Sequence, residues 1–228
     1  MNKKVLIFGA TGSIGNYVVE NFKRDGFEVI GTTTNLEKSI NNNLIYVENI
    51  NLDNLLLIDE ISIVVWAHGY NFSDSITNFN FVNFDKMIDA NVSFILNTLK
   101  MLLDNNKIQN GSKLVIVSSI WEEFTRANKL SYTITKAALS GMVKNLAYDL
   151  SAKNILINNV LPGVIDNEMS QKALSIDQMN YVKNYLQFGR LITLDDVYKT
   201  IKFLTVENSG ITGQSIKVDL GFTNFKKI

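Results

Sequence analysis

The sequence predicts an α/β fold, a doubly wound parallel sheet with helices on both faces, and three observations carry that prediction. Short β-branched apolar runs alternate with stretches of helical spacing along the whole chain, as successive βαβ units require. The first apolar run opens directly into a glycine-punctuated turn and a helix. No linker and no internal repeat interrupts the alternation, so residues 1–228 are expected to form a single domain.

The elements follow in order. Lys3–Phe8 is apolar and β-branched and is bounded by glycine, which reads as a buried strand. Asn16–Arg24 then carries Val18, Val19 and Phe22 at helical spacing after Ile14. Phe27–Thr33 is the second strand, after the Asp25-Gly26 turn, and Leu44–Val47 the third. The stretch before the fourth strand, Ser62–Trp66, is short, so its crossover helix is reduced to a turn. Phe84–Leu103 is a long amphipathic helix and Lys113–Ser118 a fifth strand. Ser131–Ser151 is the second long helix, and Ile155–Val160 the sixth strand. Leu194–Val206 is helical and Ser215–Val218 a last short strand. Asn41–Asn43 and Asn105-Asn106 read as surface loops.

Composition narrows the classes. With 228 residues, 46% hydrophobic, the chain can bury a substantial core. Its 22 basic and 22 acidic residues cancel, so no electrostatic footprint for nucleic acid or an acidic membrane is present. No apolar run reaches a membrane span and no signal peptide is visible, which gives the expectation of a cytoplasmic protein. Zero cysteines exclude disulfides, thiol catalysis and zinc-thiolate sites, and a lone His68 excludes a metal site built from several imidazoles.

Two constellations carry chemistry. Gly9-Ala-Thr-Gly12-Ser-Ile-Gly15 lies between strand and helix, the context in which glycines let the backbone approach a pyrophosphate at a helix N-terminus. Tyr132 and Lys136 stand four residues apart on one helix face, with Ser119 thirteen residues upstream. A free phenol titrates near pH ~10, too high for efficient proton transfer at neutrality, and a neighbouring ammonium is expected to bring it down. Ser119 would then hold a substrate oxygen against the phenol.

Together these motifs resemble the short-chain dehydrogenase/reductase family, particularly its 3-oxoacyl-carrier-protein reductase-like members. Asn91, Leu161-Pro-Gly163, Gly189-Arg-Leu and Ile211–Asp219 occur in that family's order and spacing, from about Lys4 to Gly221. The resemblance implies a Rossmann fold with strand order 3-2-1-4-5-6-7 and an NAD(P)-dependent oxidoreductase acting on a carbonyl or secondary alcohol. It implies Tyr132 as general acid/base, Lys136 on the nicotinamide ribose, and Ser119 on the substrate oxygen, with Ser118 ranked second. Asn91 would keep a water in a proton relay through a bend in its helix; an asparagine satisfying buried backbone groups is the competing reading. Cofactor contacts would come from Gly9, Thr11, Gly12, Ser13, Ile14 and Gly15, from Thr33, Thr34 and Asn49, and from Ala67, Gly69, Tyr132 and Lys136. Pro162, Gly163, Val164 and Ile165 complete that set.

Several positions depart from the family pattern. Gly9-x-x-Gly12-x-x-Gly15 resembles the spacing of the family's longer branches, yet the chain cannot hold their additional substrate domain. Trp66-Ala-His68-Gly69 replaces the usual Asn-Asn-Ala-Gly, and His68 either faces the cleft or packs beside Trp66 as filler. Asn167 stands where a threonine is usual. The end of the second strand, Gly31–Asn35, has no carboxylate until Glu37, and its hydroxyls with nearby Lys38 favour NADP(H) over NAD(H). Residues 168–188, with Met179, Tyr181 and Tyr185, are expected to form an apolar flap over the cleft. Trp121, Glu122, Glu123 and Arg126 are expected at its rim. The rival reading is a non-catalytic dinucleotide sensor or partner subunit, which needs none of Ser119, Tyr132 and Lys136. The two long helices are expected to pair with further copies in a homodimer or homotetramer.

Overall fold

The computed structural model describes residues 3–42, 44–47, 52–165, 176–186 and 188–224. Strands β1 (Lys4–Phe8), β2 (Glu28–Thr33), β3 (Ile45–Tyr46), β4 (Ile61–Trp66), β5 (Ile108–Val117), β6 (Leu156–Pro162) and β7 (Ser215–Val218) form one sheet. Its order is β3-β2-β1-β4-β5-β6-β7, every neighbouring pair is parallel, and the expected topology is therefore the one found. Side chains alternate across the pleat. Leu6, Phe8, Val64, Trp66 and Leu114 build the core on one face, with Phe94, Leu99, Leu139 and Val143 of the helices covering it. Val5, Ile7, Val65 and Val115 build the other, under Val18, Phe22, Val197 and Ile201.

Helices α1 (Ser13–Arg24) and α7 (Leu194–Lys202) cover the second face, while α4 (Phe94–Asp104) and α5 (Leu130–Asp149) cover the first. The single helix expected over Phe84–Leu103 is instead α3 (Phe81–Ile88), a wide π-turn over Asp89–Ser93, and α4. A π-turn also ends the last helix, over Phe203–Glu207. Asn41 and Asn42, expected in a loop, close a short helix α2 (Leu36–Asn42), started by the Asn35 carboxamide accepting from the Lys38 N–H. Among the described residues, the crossover between β3 and β4 contains one short 3-10 turn, Asp53–Leu57, where a reduced helix was expected. Part of the expected flap is the helix α6 (Ile176–Tyr185); Asn167 lies outside the described residues, as does Asn49.

All the chemistry-bearing elements start from the C-terminal ends of β1, β4, β5 and β6. The chain reverses its direction of winding between β1 and β4, where open parallel sheets hold their ligands.

Candidate active site

The cleft at these strand ends encloses about 1440 Å³, more than the space one small ligand fills. Its first half is backbone. Gly9 leaves β1 at φ +80, where a Cβ would lie 2.7 Å from the His68 Cα and backbone N, and a Cβ on Gly15 would lie 2.1 Å from the Gly9 carbonyl oxygen. Both positions are therefore fixed by the fold. Gly12 differs: a Cβ there meets only the Gly9 oxygen, at 3.5 Å, an ordinary contact. Gly12 is also the N-cap of α1, which begins without a capping side chain and without an acid in its first turn. Open space over an uncapped helix N-terminus fits the phosphates of a dinucleotide.

Thr11, Ser13, Ile14, Thr33, Thr34, Ala67 and Gly69 line the same half. The Thr11 and Thr33 hydroxyls lie 3.3 Å apart, and the Thr33 hydroxyl accepts from the Asn35 N–H. No charged side chain borders this half among the described residues. The Lys38 ammonium, expected to help hold a phosphate, is not brought to the cleft, because Lys38 is carried outward on α2. Pro162, Gly163, Val164 and Ile165 close the floor, tied to β7 by the Gly163 N–H to Val218 carbonyl bond. Gly15 does not border the cleft; its place is under the turn.

The phenol of Tyr132 and the hydroxyl of Ser119 face each other at the middle of the cleft. Ser119 follows β5 directly and N-caps the 3-10 turn Ile120–Glu122 through its hydroxyl. Lys136, one turn along α5 from Tyr132, lies behind the cleft wall, with its Nζ 5.7 Å from the Tyr132 ring centre and donating to the Val117 carbonyl at 3.2 Å. Burial pushes the Tyr132 phenol up to about 12, with the Ser119 hydroxyl pulling the other way. The lowering expected from Lys136 is not found: the loss of water outweighs the pull of the Ser119 hydroxyl, and Tyr132 keeps its proton at neutrality. Burial also brings Lys136 down to about 8, opposed by the Glu122 carboxylate.

Asn91 sits inside the π-turn, so its helix is interrupted as expected. Its side chain is spent on structure, donating to the Tyr70 carbonyl at 2.9 Å and the Thr135 hydroxyl at 3.0 Å, and accepting from the Tyr70 N–H at 2.8 Å. The carboxamide thereby locks the loop after β4 onto α5. His68 is part-buried and borders the cleft, edge-on to Phe94 at 4.7 Å between ring centres. Trp66 stacks instead on Phe8 at 5.7 Å. Burial, reinforced by the Lys136 charge, brings His68 down to about 3, so the imidazole is neutral.

Of the residues expected at the rim, Trp121 and Arg126 are there. Glu123 pairs with Lys217 at 2.6 Å. Glu122 is turned inward and buried, bonded to the Asn159 amide at 3.0 Å and to the Ser215 hydroxyl; burial raises its carboxyl. Two positions escaped the sequence reading. Asp74, buried, accepts from the Ser131 N–H at 3.0 Å and from the Ser131 hydroxyl, which pins the start of α5 and hence Tyr132. Lys129, the N-cap residue of α5, is buried against the Tyr132 ring at 5.1 Å; its signal was its place three residues before the tyrosine.

The sequence matches the family described as enoyl-(acyl carrier protein) reductase over residues 56–223. It is 30% identical over 236 residues to the 3-oxoacyl-[acyl-carrier-protein] reductase FabG of Rickettsia felis, covering 96% of each chain. Against FabG of Aquifex aeolicus the identity is 27%, again over 96% of each. The structure is similar to ElxO with NADP bound, at TM-score 0.84 and 25% identity, covering 99% of this chain and 100% of that one. The ligand-free aldohexose dehydrogenase of Thermoplasma acidophilum shares the fold at TM-score 0.88 and 22% identity, over 100% and 96% of the two chains.

Proposed function

This chain belongs to the short-chain dehydrogenase/reductase family and is an NAD(P)-dependent oxidoreductase, and from that premise we propose that it reduces a carbonyl with Tyr132 as the acid. The observation that carries the proposal is the pairing of a part-buried, protonated Tyr132 with Ser119 in the cleft. Two hydroxyl donors converge where a carbonyl oxygen would sit, and they strengthen their hold as that oxygen gains charge. Tyr132 gives its proton to the oxygen, and the Lys136 ammonium, confined to the back of the site, steadies the phenolate left behind. Asn91 keeps the loop after β4 in place behind them. The reduced nicotinamide, when bound, supplies the hydride for the carbonyl carbon.

Gly9, Thr11, Gly12, Ser13, Ile14, Thr33, Thr34, Ala67, Gly69, Tyr132, Lys136 and Pro162–Ile165 are proposed to hold the cofactor, with Gly15 shaping the turn beneath it. NADP(H) is favoured on two grounds. No carboxylate at the end of β2 borders the cleft among the described residues, and ElxO, a structural relative, has NADP bound. Assembly of Ser119, Tyr132 and Lys136 around one point supports catalysis over the alternative of a non-catalytic sensor or partner subunit. A homodimer or homotetramer through α4 and α5, in the cytoplasm, completes the proposal; Leu96, Ile134 and Tyr148 on those helices face outward, exposed by 42%, 43% and 81%.

Relatives and family description name two different reductions, of a 3-oxo group and of an enoyl double bond. NADPH oxidation by the purified protein with a 3-oxoacyl and a 2-enoyl N-acetylcysteamine thioester separates them. Turnover of the oxo compound, with NADPH bound more tightly than NADH, is expected. Turnover of the enoyl compound alone would overturn the assignment of Tyr132 to a carbonyl oxygen.

A further inference from the structure

Charge is distributed unevenly along the cleft of a chain whose net charge is zero. The glycine turn and β2 bring no charged side chain to the cleft's border among the described residues, whereas Lys86 of α3, and Arg126 and Lys129 between β5 and α5, border it with one carboxylate, Asp177.

Lys129 stands apart from the other two. Lys86 and Arg126 are exposed, but Lys129 is only 4% exposed, its Nζ lying 5.1 Å from the centre of the Tyr132 ring. The Asn71 side-chain amide oxygen, Oδ1, accepts from that Nζ at 2.8 Å. No carboxylate among the described residues comes within ion-pair distance. Asp74, the nearest acid that acts on it, has both oxygens committed to Ser131. An ammonium withdrawn from water without a counter-charge is unfavourable. Burial, and then the Arg126 charge, bring it down to about 8 against the opposing pull of Asp74, so it is still charged at neutrality. Packing alone would be met by a methionine or leucine. Beyond it, Trp121, Phe124, Tyr181 and Tyr185 give the cleft an apolar wall.

We propose that Lys129 anchors a carboxylate on the substrate, so that the substrate is an oxo acid with an apolar body, its carboxylate a few bonds from the carbon reduced at Tyr132. This rests on the carbonyl-reductase reading and narrows its substrate class. The carboxylate supplies the counter-charge that is absent among the described residues and is unchanged by the reaction. The neighbouring C=O becomes CH–OH, taking a hydride from reduced nicotinamide on carbon and a proton on oxygen, with no further co-reactant. Lys129 binds; it does not transfer the proton.

The test uses 2-oxo-4-phenylbutanoate and its methyl ester as probes with wild type, Lys129→Met and Lys129→Arg. Reduction is followed by NADPH oxidation, and binding by tryptophan fluorescence with and without NADP. In wild type, kcat/KM for the acid is expected to exceed that for the ester by about tenfold or more, as for a charge-assisted hydrogen bond. The ratio should collapse in Lys129→Met through KM, and survive in large part in Lys129→Arg, which also keeps the test decisive if the methionine variant unfolds. Saturable binding of the acid but not the ester, lost in Lys129→Met, supports the anchor even if neither probe is reduced; in that event the reductase reading falls and the anchor stands. Equal handling of acid and ester, or no binding of the acid, overturns the anchor. So does a preference that persists in Lys129→Met and disappears in Arg126→Ala, which would place the anion at the mouth.

Discussion

Tyr132 divides a cleft whose two halves are made by different means. Toward β2 the wall is main chain and small side chains: a glycine turn, an uncapped helix end and the threonines of β2, which bring no charge to the border among the described residues. The cleft's other wall is largely side chain: Lys86, Arg126 and Lys129, Trp121 and Phe124 of the segment after Ser119, and Tyr181 and Tyr185 of α6. A wall of backbone presents the same N–H groups whatever the surrounding sequence, and suits an invariant ligand such as a dinucleotide. A wall of side chains can be rewritten residue by residue, and suits the ligand that varies among proteins of one fold.

The contrast breaks first at its glycines. Gly15→Ala would place a Cβ where the Gly9 carbonyl stands, 2.1 Å away, and is expected to cost about 4 kcal/mol or more, measured as a lowered denaturation midpoint or as loss of soluble protein. Gly12→Ala meets only an ordinary 3.5 Å contact. Its stability should stay within about 1 kcal/mol of wild type. Its NADPH affinity should fall about tenfold or more, because the methyl occupies the space left for the phosphates. Equal losses of stability in the two variants would mean that Gly12 serves the fold and not a ligand.

The difference between the halves also explains which parts of the protein could be read from its sequence. The glycine turn spans seven residues, and its requirement is local: Gly9 and Gly15 answer to each other and to the adjoining strand. The strands were legible because a parallel sheet covered on both faces demands unbroken apolar runs. Helix α2 was missed because it has no apolar stripe to read; Leu36 and Ile40 are exposed by 58% and 75%. The substrate half is written in contacts between distant residues. Asp74 meets Ser131 across 57 positions, Asn71 meets Lys129 across 58, and Glu122 turns inward only because Asn159 and Ser215, on other strands, receive it. No periodicity in the chain reports such pairings. Likewise the fall of the Tyr132 phenol expected from Lys136 assumed proximity without burial, and burial is a property of the assembled site.

A smaller effect sharpens the division through pH. Lys136, brought down to about 8, holds its ammonium below that pH and loses it above. Tyr132, pushed up to about 12, keeps its proton through the same interval, so it supplies no compensating change. With the methyl ester as substrate, where the charge of Lys129 has no carboxylate to hold, the reduction rate should be level below about pH 7.5 and decline toward about tenfold per pH unit above 8. A profile that stays flat to pH 10 would remove Lys136 from the stabilisation of the phenolate.

Whether Tyr132 is the seam between a binding half and a reacting half is tested most directly by Tyr132→Phe, titrated with NADPH and then mixed with a carbonyl substrate that wild type reduces. The phenyl ring keeps the packing against Lys129 and Lys136 while the acid is gone. The account predicts an NADPH dissociation constant within about threefold of wild type and a rate of NADPH oxidation about 10²–10⁴ lower, the range of a lost general acid. Reduction at the wild-type rate would contradict it, and so would loss of NADPH binding together with activity, since the two halves would then not be separable at Tyr132.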